Sequence, residues 1–171
     1  RASRIPNHVS RFTFYVFIIE GKFIVPISIE SAWDFLMDIE SLARCMPGIK
    51  QMEAINDKTY RCIIEAKVAY LKFNFNGDFS ITNQEPPIRV ESVVKGEDRK
   101  FFSGLKAENL MELESICEDV TQVTYKINVN IFGKLGTFGQ RIIRGKAEQI
   151  AQEFIQNIQS MIKKSAIEGS V

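Results

Sequence analysis

Asn109, Tyr60 and Tyr125 are the residues of this chain whose types and positions most suggest contact with a bound molecule. Each falls on the apolar parity of an alternating stretch. Asn109 stands among Leu105, Ala107, Met111 and Leu113, Tyr60 beside Cys62, Ile64, Ala66 and Val68, and Tyr125 beside Val123, Ile127, Val129 and Ile131. A buried amide needs hydrogen-bond partners. One amide and two phenols in an oily cavity suit a carbonyl-bearing apolar molecule such as a quinone. The competing reading is an Asn109 bonded only to neighbouring backbone or water. Other chemistry has little material. The single histidine, His8, sits in a tail unlike the rest of the chain, and histidine is the usual general base and the commonest metal ligand. Without it the domain builds no Ser-His-Asp triad and no histidine metal site. No CxxC is present, and Cys45 has no cation or base beside it in sequence to activate its thiol. No catalytic residue, metal or cofactor is expected.

The elements that would position these residues follow from periodicity. Lys22 to Ile27 reads as a strand whose Pro26 marks an edge or end. Ser28 or Ser31 caps a helix through Ala32, Trp33, Phe35, Leu36 and Met37. A second short helix, Ser41 to Cys45, stops at Met46-Pro47-Gly48, a turn placed to shape a cavity entrance. Strict alternation then marks strands through Tyr60 to Val68, Leu71 to Thr82, Ile88 to Val94, Leu105 to Glu114 and Gln122 to Ile131, with Pro86-Pro87 as a turn. From Gly133 to Ile162 one long amphipathic helix is expected, with Ile143, Ala147, Ile150, Phe154, Ile158 and Met161 on one stripe. Its start carries Gly136 and Gly139 on that stripe, although a glycine inside a helix costs about 1 kcal/mol relative to alanine. Either a close backbone or a ligand fills that space. The layout is α+β: strand, two short helices, six strands and a long terminal helix packed on the sheet.

Composition excludes several partners. The 22 lysines and arginines nearly balance 21 acids, which argues against nucleic acid. No apolar stretch approaches the ~20 residues of a membrane-spanning helix. Three unpatterned cysteines, Cys45, Cys62 and Cys117, fit a reducing cytoplasm. Residues 1–19 differ from the rest: three arginines precede Phe12 to Ile19, FTFYVFII, apolar on both faces. The segment is read as an N-terminal extension foreign to the domain. It also fits a lengthened first strand or a membrane-touching anchor, and strand pairing between chains would make an oligomer. The domain proper is placed at 20–165, with 166–171 as a tail.

Two stretches carry a resemblance. FIVPISIESAWDFLMDIESLARCMPGI, Phe23 to Ile49, and GKLGTFGQRIIRGKAEQIAQEFI, Gly133 to Ile155, resemble the carbon monoxide dehydrogenase CoxG family of the START-like (SRPBCC) superfamily. The likeness covers Gly21 to Lys164. It implies a helix-grip fold, a seven-stranded curved antiparallel sheet around the terminal helix with a cavity between them. It also implies a partner, a molybdenum carbon monoxide dehydrogenase or its maturation ATPase, and a peripheral place on the inner face of the membrane. The cavity walls expected are Tyr60, Phe75, Phe79, Asn109, Met111, Tyr125, Gly136, Gly139 and Ile143.

A second surface is expected outside. Leu135, Phe138 and Ile142 lie about 100° from the main helical stripe, beside Lys134, Arg141, Arg144 and Lys146. Such a basic, apolar lip suits anionic lipid headgroups or a partner protein. Three function classes follow: a non-catalytic carrier of a quinone or lipid, an assembly or membrane-recruitment factor acting through its outer surface, and an enzyme of the polyketide cyclase type using Tyr60, Glu65 or Asp78. The third is weakest, because Glu65 and Asp78 fall on the outward parity.

Overall fold

The computed structural model of the chain describes residues 14–168, with Ala166 by its backbone alone. The elements are β1 (Phe14–Val25), α1 (Ile29–Met37), α2 (Ile39–Cys45), β2 (Ile49–Ala54), β3 (Thr59–Val68), β4 (Leu71–Glu85), β5 (Arg89–Asp98), β6 (Ser103–Cys117), β7 (Val120–Gly133), a 3-10 turn (Lys134–Phe138) and α3 (Gln140–Glu168). The seven strands form one antiparallel sheet in the order β1-β7-β6-β5-β4-β3-β2. Register shifts between Ile49 and Gln51, Ile81 and Asn83, and Ser115 and Cys117 bend it, since a bulge adds local twist. Its concave face takes α3.

The first strand is longer than the sequence suggested. Phe14 to Val25 pairs along its whole length with β7, from Phe14 opposite Phe132 to Val25 opposite Thr121. Phe17 and Ile19 are buried, while Phe14, Val16 and Ile18 stay exposed. Residues 14–19, read as part of a foreign extension, are therefore half of a core strand. The fourteen-residue β7 supplies their partner. The remaining expectations for the tail, including His8 and the three arginines, lie outside the described residues. At the other end α3 continues to Glu168, so residues 166–168 are helix and not tail.

The free edge of β1 faces α3. Gln159 Nε2 donates to the Ile24 carbonyl at 3.0 Å, and an Arg144 guanidinium nitrogen donates to the Ile18 carbonyl at 3.3 Å. Such caps occupy acceptors that another strand would seek. Gly21 in the same strand makes room for Tyr125 opposite it, because a Cβ there would meet the tyrosine hydroxyl at 2.5 Å.

The single long helix expected from Gly133 does not form. Gly133 and Gly139 have φ of 84° and 87°, a left-handed region that L side chains avoid. A Cβ at Gly133 would also collide with the Phe102 carbonyl oxygen. Between these two breaks the chain makes a 3-10 turn, and the α-helix starts only at Gln140. Nothing lies within 4 Å of a Cβ built at Gly139. The residue is thus fixed by its backbone and not by a ligand or a neighbour. Gly139→Ala will cost about 1–2 kcal/mol in strain and lower Tm by several degrees in a thermal melt. It will leave any ligand uptake unchanged.

The two short helices follow their sequence signals. Ser28 caps α1, its side chain accepting from the Ser31 N–H at 3.2 Å. Asp38 ends α1 and caps α2 through Ser41, bonds that hold its carboxyl below the usual carboxylate range. Trp33 and Leu36 are buried and Phe35 only half so. The α2 turn is fastened to α3: Asn157 Nδ2 donates to the Cys45 carbonyl at 2.8 Å, and Cys45 Sγ lies 3.9 Å from Met161 Sδ. Burial raises the thiol pKa of Cys45 and of Cys62, whereas Cys117 is exposed. Ellman's reagent at pH 8 will titrate one thiol quickly, Cys117, and the other two only on unfolding.

Candidate functional site

The helix packs on the sheet along a stripe slightly rotated from the expected one. Ile143, Ala151, Ile155, Ile158 and Ile162 are its buried residues. Ala147, Ile150 and Phe154, one flank over, remain half-buried. That flank does not close on the sheet. Between it and the concave face lies a cavity of about 330 Å³, at the lower end of the ~300–1,000 Å³ typical of small-molecule sites. Met37 of α1, Leu42 of α2 and the turn residues Met46 and Pro47 cover one side. Because these and the α3 flank are half-buried, they form the rim.

Of the nine residues expected in the walls, Phe75, Phe79, Asn109, Met111, Tyr125 and Ile143 line this cavity. Tyr60, Gly136 and Gly139 do not. Tyr60 has the inward parity, but it lies opposite Phe79 near the far end of β3, its ring 6.2 Å from the Phe79 ring. Strand parity sets the face of the sheet and not the position along it. Gly136 is buried within the 3-10 turn, which removes both glycines from the helix face. Leu135, expected on an outer lip, points into the cavity wall instead.

The lining is apolar except for Ser92, Asn109, Tyr125 and Lys146. Ser92 was not anticipated, though its place between Val90 and Val94 on the inward parity was a readable signal. It pairs with Asn109 across β5 and β6, and Asn109 Nδ2 donates to Ser92 Oγ at 3.3 Å. The amide donor is thus satisfied within the wall, as buried polar groups generally are. Tyr125 is buried, 6.3 Å from the Phe23 ring, and burial raises its phenol pKa. It is a neutral donor throughout the physiological range. No aspartate or glutamate lines the cavity. Glu65 lies 3.6 Å from Lys72 and 3.8 Å from Lys50, and Asp78 lies 3.7 Å from Arg61, all on other surfaces. Among the described residues no group of three or more His, Cys, Asp or Glu is placed to hold a metal ion.

A wider hollow of about 1060 Å³ runs outside, between Val16–Glu20 of β1 and Arg144–Gln152 of α3. It is an open groove crossed by the Arg144–Glu148 ion pair at 3.1 Å, and it lacks the apolar enclosure of the cavity. At one end of the sheet the expected lip is rearranged. Phe138 sits edge-on to Phe73 at 6.2 Å and to Tyr70 at 5.9 Å, so it packs inward. The exposed tips are Tyr70 and Phe102, 80% and 85% accessible, with Ile142 at 50%. Phe102 is held out by a turn with φ of 47°. Asp98 fixes that turn by accepting from the Phe101 N–H at 3.0 Å and the Asn74 N–H at 2.7 Å. Lys100 and Lys134 lie over the Phe101 ring at 5.3 and 5.8 Å. Arg141 is exposed, and Arg144 is tied to Glu148 and the Ile18 carbonyl.

A curled antiparallel sheet closed on a C-terminal helix, with a lined cavity between, defines a START-like helix-grip protein. Comparison with known proteins then narrows the class. A family model for the CoxG component of carbon monoxide dehydrogenase matches residues 21–163, and the chain belongs to that family. Among solved structures, it is similar to a conserved protein from Geobacillus kaustophilus at 28% identity and TM-score 0.80, over 87% of this chain and 97% of the other. A START superfamily protein from Mycobacterium smegmatis matches at 12% identity and TM-score 0.65, over 86% and 97% of the two chains. The Zhui aromatase/cyclase from Streptomyces sp. R1128 matches at 11% identity and TM-score 0.63, over 89% and 96%. The last two share the fold alone. No curated protein matches the chain.

Proposed function

We propose that this protein is a non-catalytic carrier of one apolar molecule, a quinone or a lipid, and that it serves a molybdenum carbon monoxide dehydrogenase-like system at the membrane surface. The observation that carries this reading is the cavity itself. Its wall is almost wholly apolar, and its few polar groups include no carboxylate, histidine or thiol close to the interior that could act as base or nucleophile. Such a space binds and orients but has no group to move a proton to or from substrate carbon. The same absence of an acid–base pair weighs against a cyclase-like enzyme, despite the shared fold. No helix among the described residues is long and apolar enough to cross a membrane, so the carrier would meet its bilayer from the outside.

A second reading has its own support: docking of the outer surface on a membrane or partner enzyme, or its maturation ATPase. Tyr70 and Phe102 project from one end beside Lys100 and Lys134. Exposed aromatic tips with nearby cations suit a headgroup layer. Both readings combine if that end touches the bilayer while the cavity loads.

The test is extraction from vesicles doped with a naphthoquinone bearing an isoprenoid tail. After gel filtration the protein fraction is assayed for quinone and for vesicle lipid. The carrier reading expects about one equivalent of one of them per chain. Neither in the protein fraction, with the protein bound to the vesicles all the same, would leave the docking role.

A further inference from the structure

Lys146 is the only charged residue in the cavity lining. On α3 it stands one turn before Ile150 and two before Phe154, so the three form the row along the open flank. By helical rotation Lys146 lies at the outer margin of that row, beyond Ala147, where the lining meets solvent. It is half-buried and takes part in none of the ion pairs or hydrogen bonds among the described residues. Its neighbours along the helix use their charges elsewhere: Arg144 pairs with Glu148. A lysine stem laid along an apolar lip keeps its ammonium at the mouth, where an anion held against the rim is only partly hydrated and attraction is stronger than in bulk water.

The interior complements this cation. Asn109 and Ser92 bond one another across the strands, so an occupant need offer no polar group to their amide donor. The volume, about 330 Å³, suits one chain or ring system and not the two chains of a membrane phospholipid. A single cation matches a single negative charge. Taken with the carrier reading, on which this inference rests, we propose that the cavity takes a single-chain acidic amphiphile. Its carboxylate meets Lys146 at the rim and its chain runs inward past Ile150 and Phe154 toward Phe75 and Phe79. Lys146 would then select acidic over neutral ligands of equal length.

The probe pair is palmitic acid and cetyl alcohol, titrated into the full-length protein at pH 8, where the free acid is ionised, and followed by calorimetry. Wild type is expected to bind the acid about tenfold more tightly than the alcohol, the scale of one charge-assisted hydrogen bond. In Lys146→Met the preference falls to about one while alcohol affinity is kept or improved. In Lys146→Arg, which retains the cation, most of the preference survives. A thermal melt of each variant shows that it is folded. Equal affinity of wild type for acid and alcohol, or a preference that survives in K146M, overturns the assignment of Lys146 and leaves the carrier standing. Failure of both probes to bind wild type overturns the single-chain ligand altogether; the quinone arm of the vesicle test then decides the carrier reading separately.

Discussion

Ala107→Phe will abolish ligand capture without unfolding the protein. Ala107 lies on β6 opposite Val94 and Val129, half-buried, with its side chain in the cavity wall. In a close-packed core, adding a phenyl ring there would force rotamers and backbone apart at a cost of about 1–3 kcal/mol. Here a void of about 330 Å³ receives it, so the ring gains burial instead of strain. The melting temperature is expected to hold or rise slightly. A bound molecule loses the space and apolar contact that the ring takes over, which at roughly 25 cal/mol per Å² amounts to about 2–3 kcal/mol, about 100-fold in affinity. Calorimetric titration with whichever ligand the wild type retains reads this directly. A protein that becomes unstable while keeping its affinity would mean that the cavity is not where the ligand sits.

The largest stability effect belongs to Phe73→Ala. Phe73 is fully buried. It stacks on Phe75 at 5.8 Å with an interplanar angle of 5°, tilts against Phe101 at 5.0 Å and meets Phe138 edge-on at 6.2 Å. These rings come from β4, the β5–β6 turn and the 3-10 turn, so one side chain ties three segments together. Removing a buried phenylalanine typically costs 3–5 kcal/mol through lost transfer energy and the cavity left behind. At about 2–4 °C per kcal/mol for a chain of this size, Tm falls by roughly 6–20 °C. The loss is local to the end that carries Tyr70 and Phe102, so vesicle binding will weaken in the same variant if that end docks. Circular dichroism and a flotation assay separate the two effects.

Much of this architecture was legible in the chain, for a physical reason. β3, β4, β6 and β7 each bury one face and wet the other, and period two in the sequence reports that division directly. Ser28, Asp38 and Pro47-Gly48 punctuate the helices by local hydrogen bonding and backbone restriction, which are sequence-near effects. Three features were not legible. Phe14 to Ile19 is apolar on both faces because Phe14, Val16 and Ile18 remain exposed at the sheet edge, so the alternation that marks a strand is erased. The backbone at Gly133 and Gly139 is left-handed, which helical periodicity cannot report. A turn with about three residues per revolution then replaces 3.6, and this turned Leu135 and Phe138 inward. Third, parity assigned Tyr60 and Asn109 to the same face, but only the path of α3 across the sheet decides which of them borders the cavity. Asn109 does, beside an unforeseen Ser92. The stripe on α3 itself was displaced by part of a turn, enough to make Ile150 and Phe154 cavity rim instead of core.

Native mass spectrometry of the purified protein, followed by solvent extraction and analysis of what it releases, tests the central claim most directly. The account predicts one apolar molecule per chain, quinone or lipid, that is lost in Ala107→Phe while the protein stays folded. A chain that is empty as purified, and still empty after incubation with membrane extract, would contradict it and turn attention to the Tyr70–Phe102 end as the working surface.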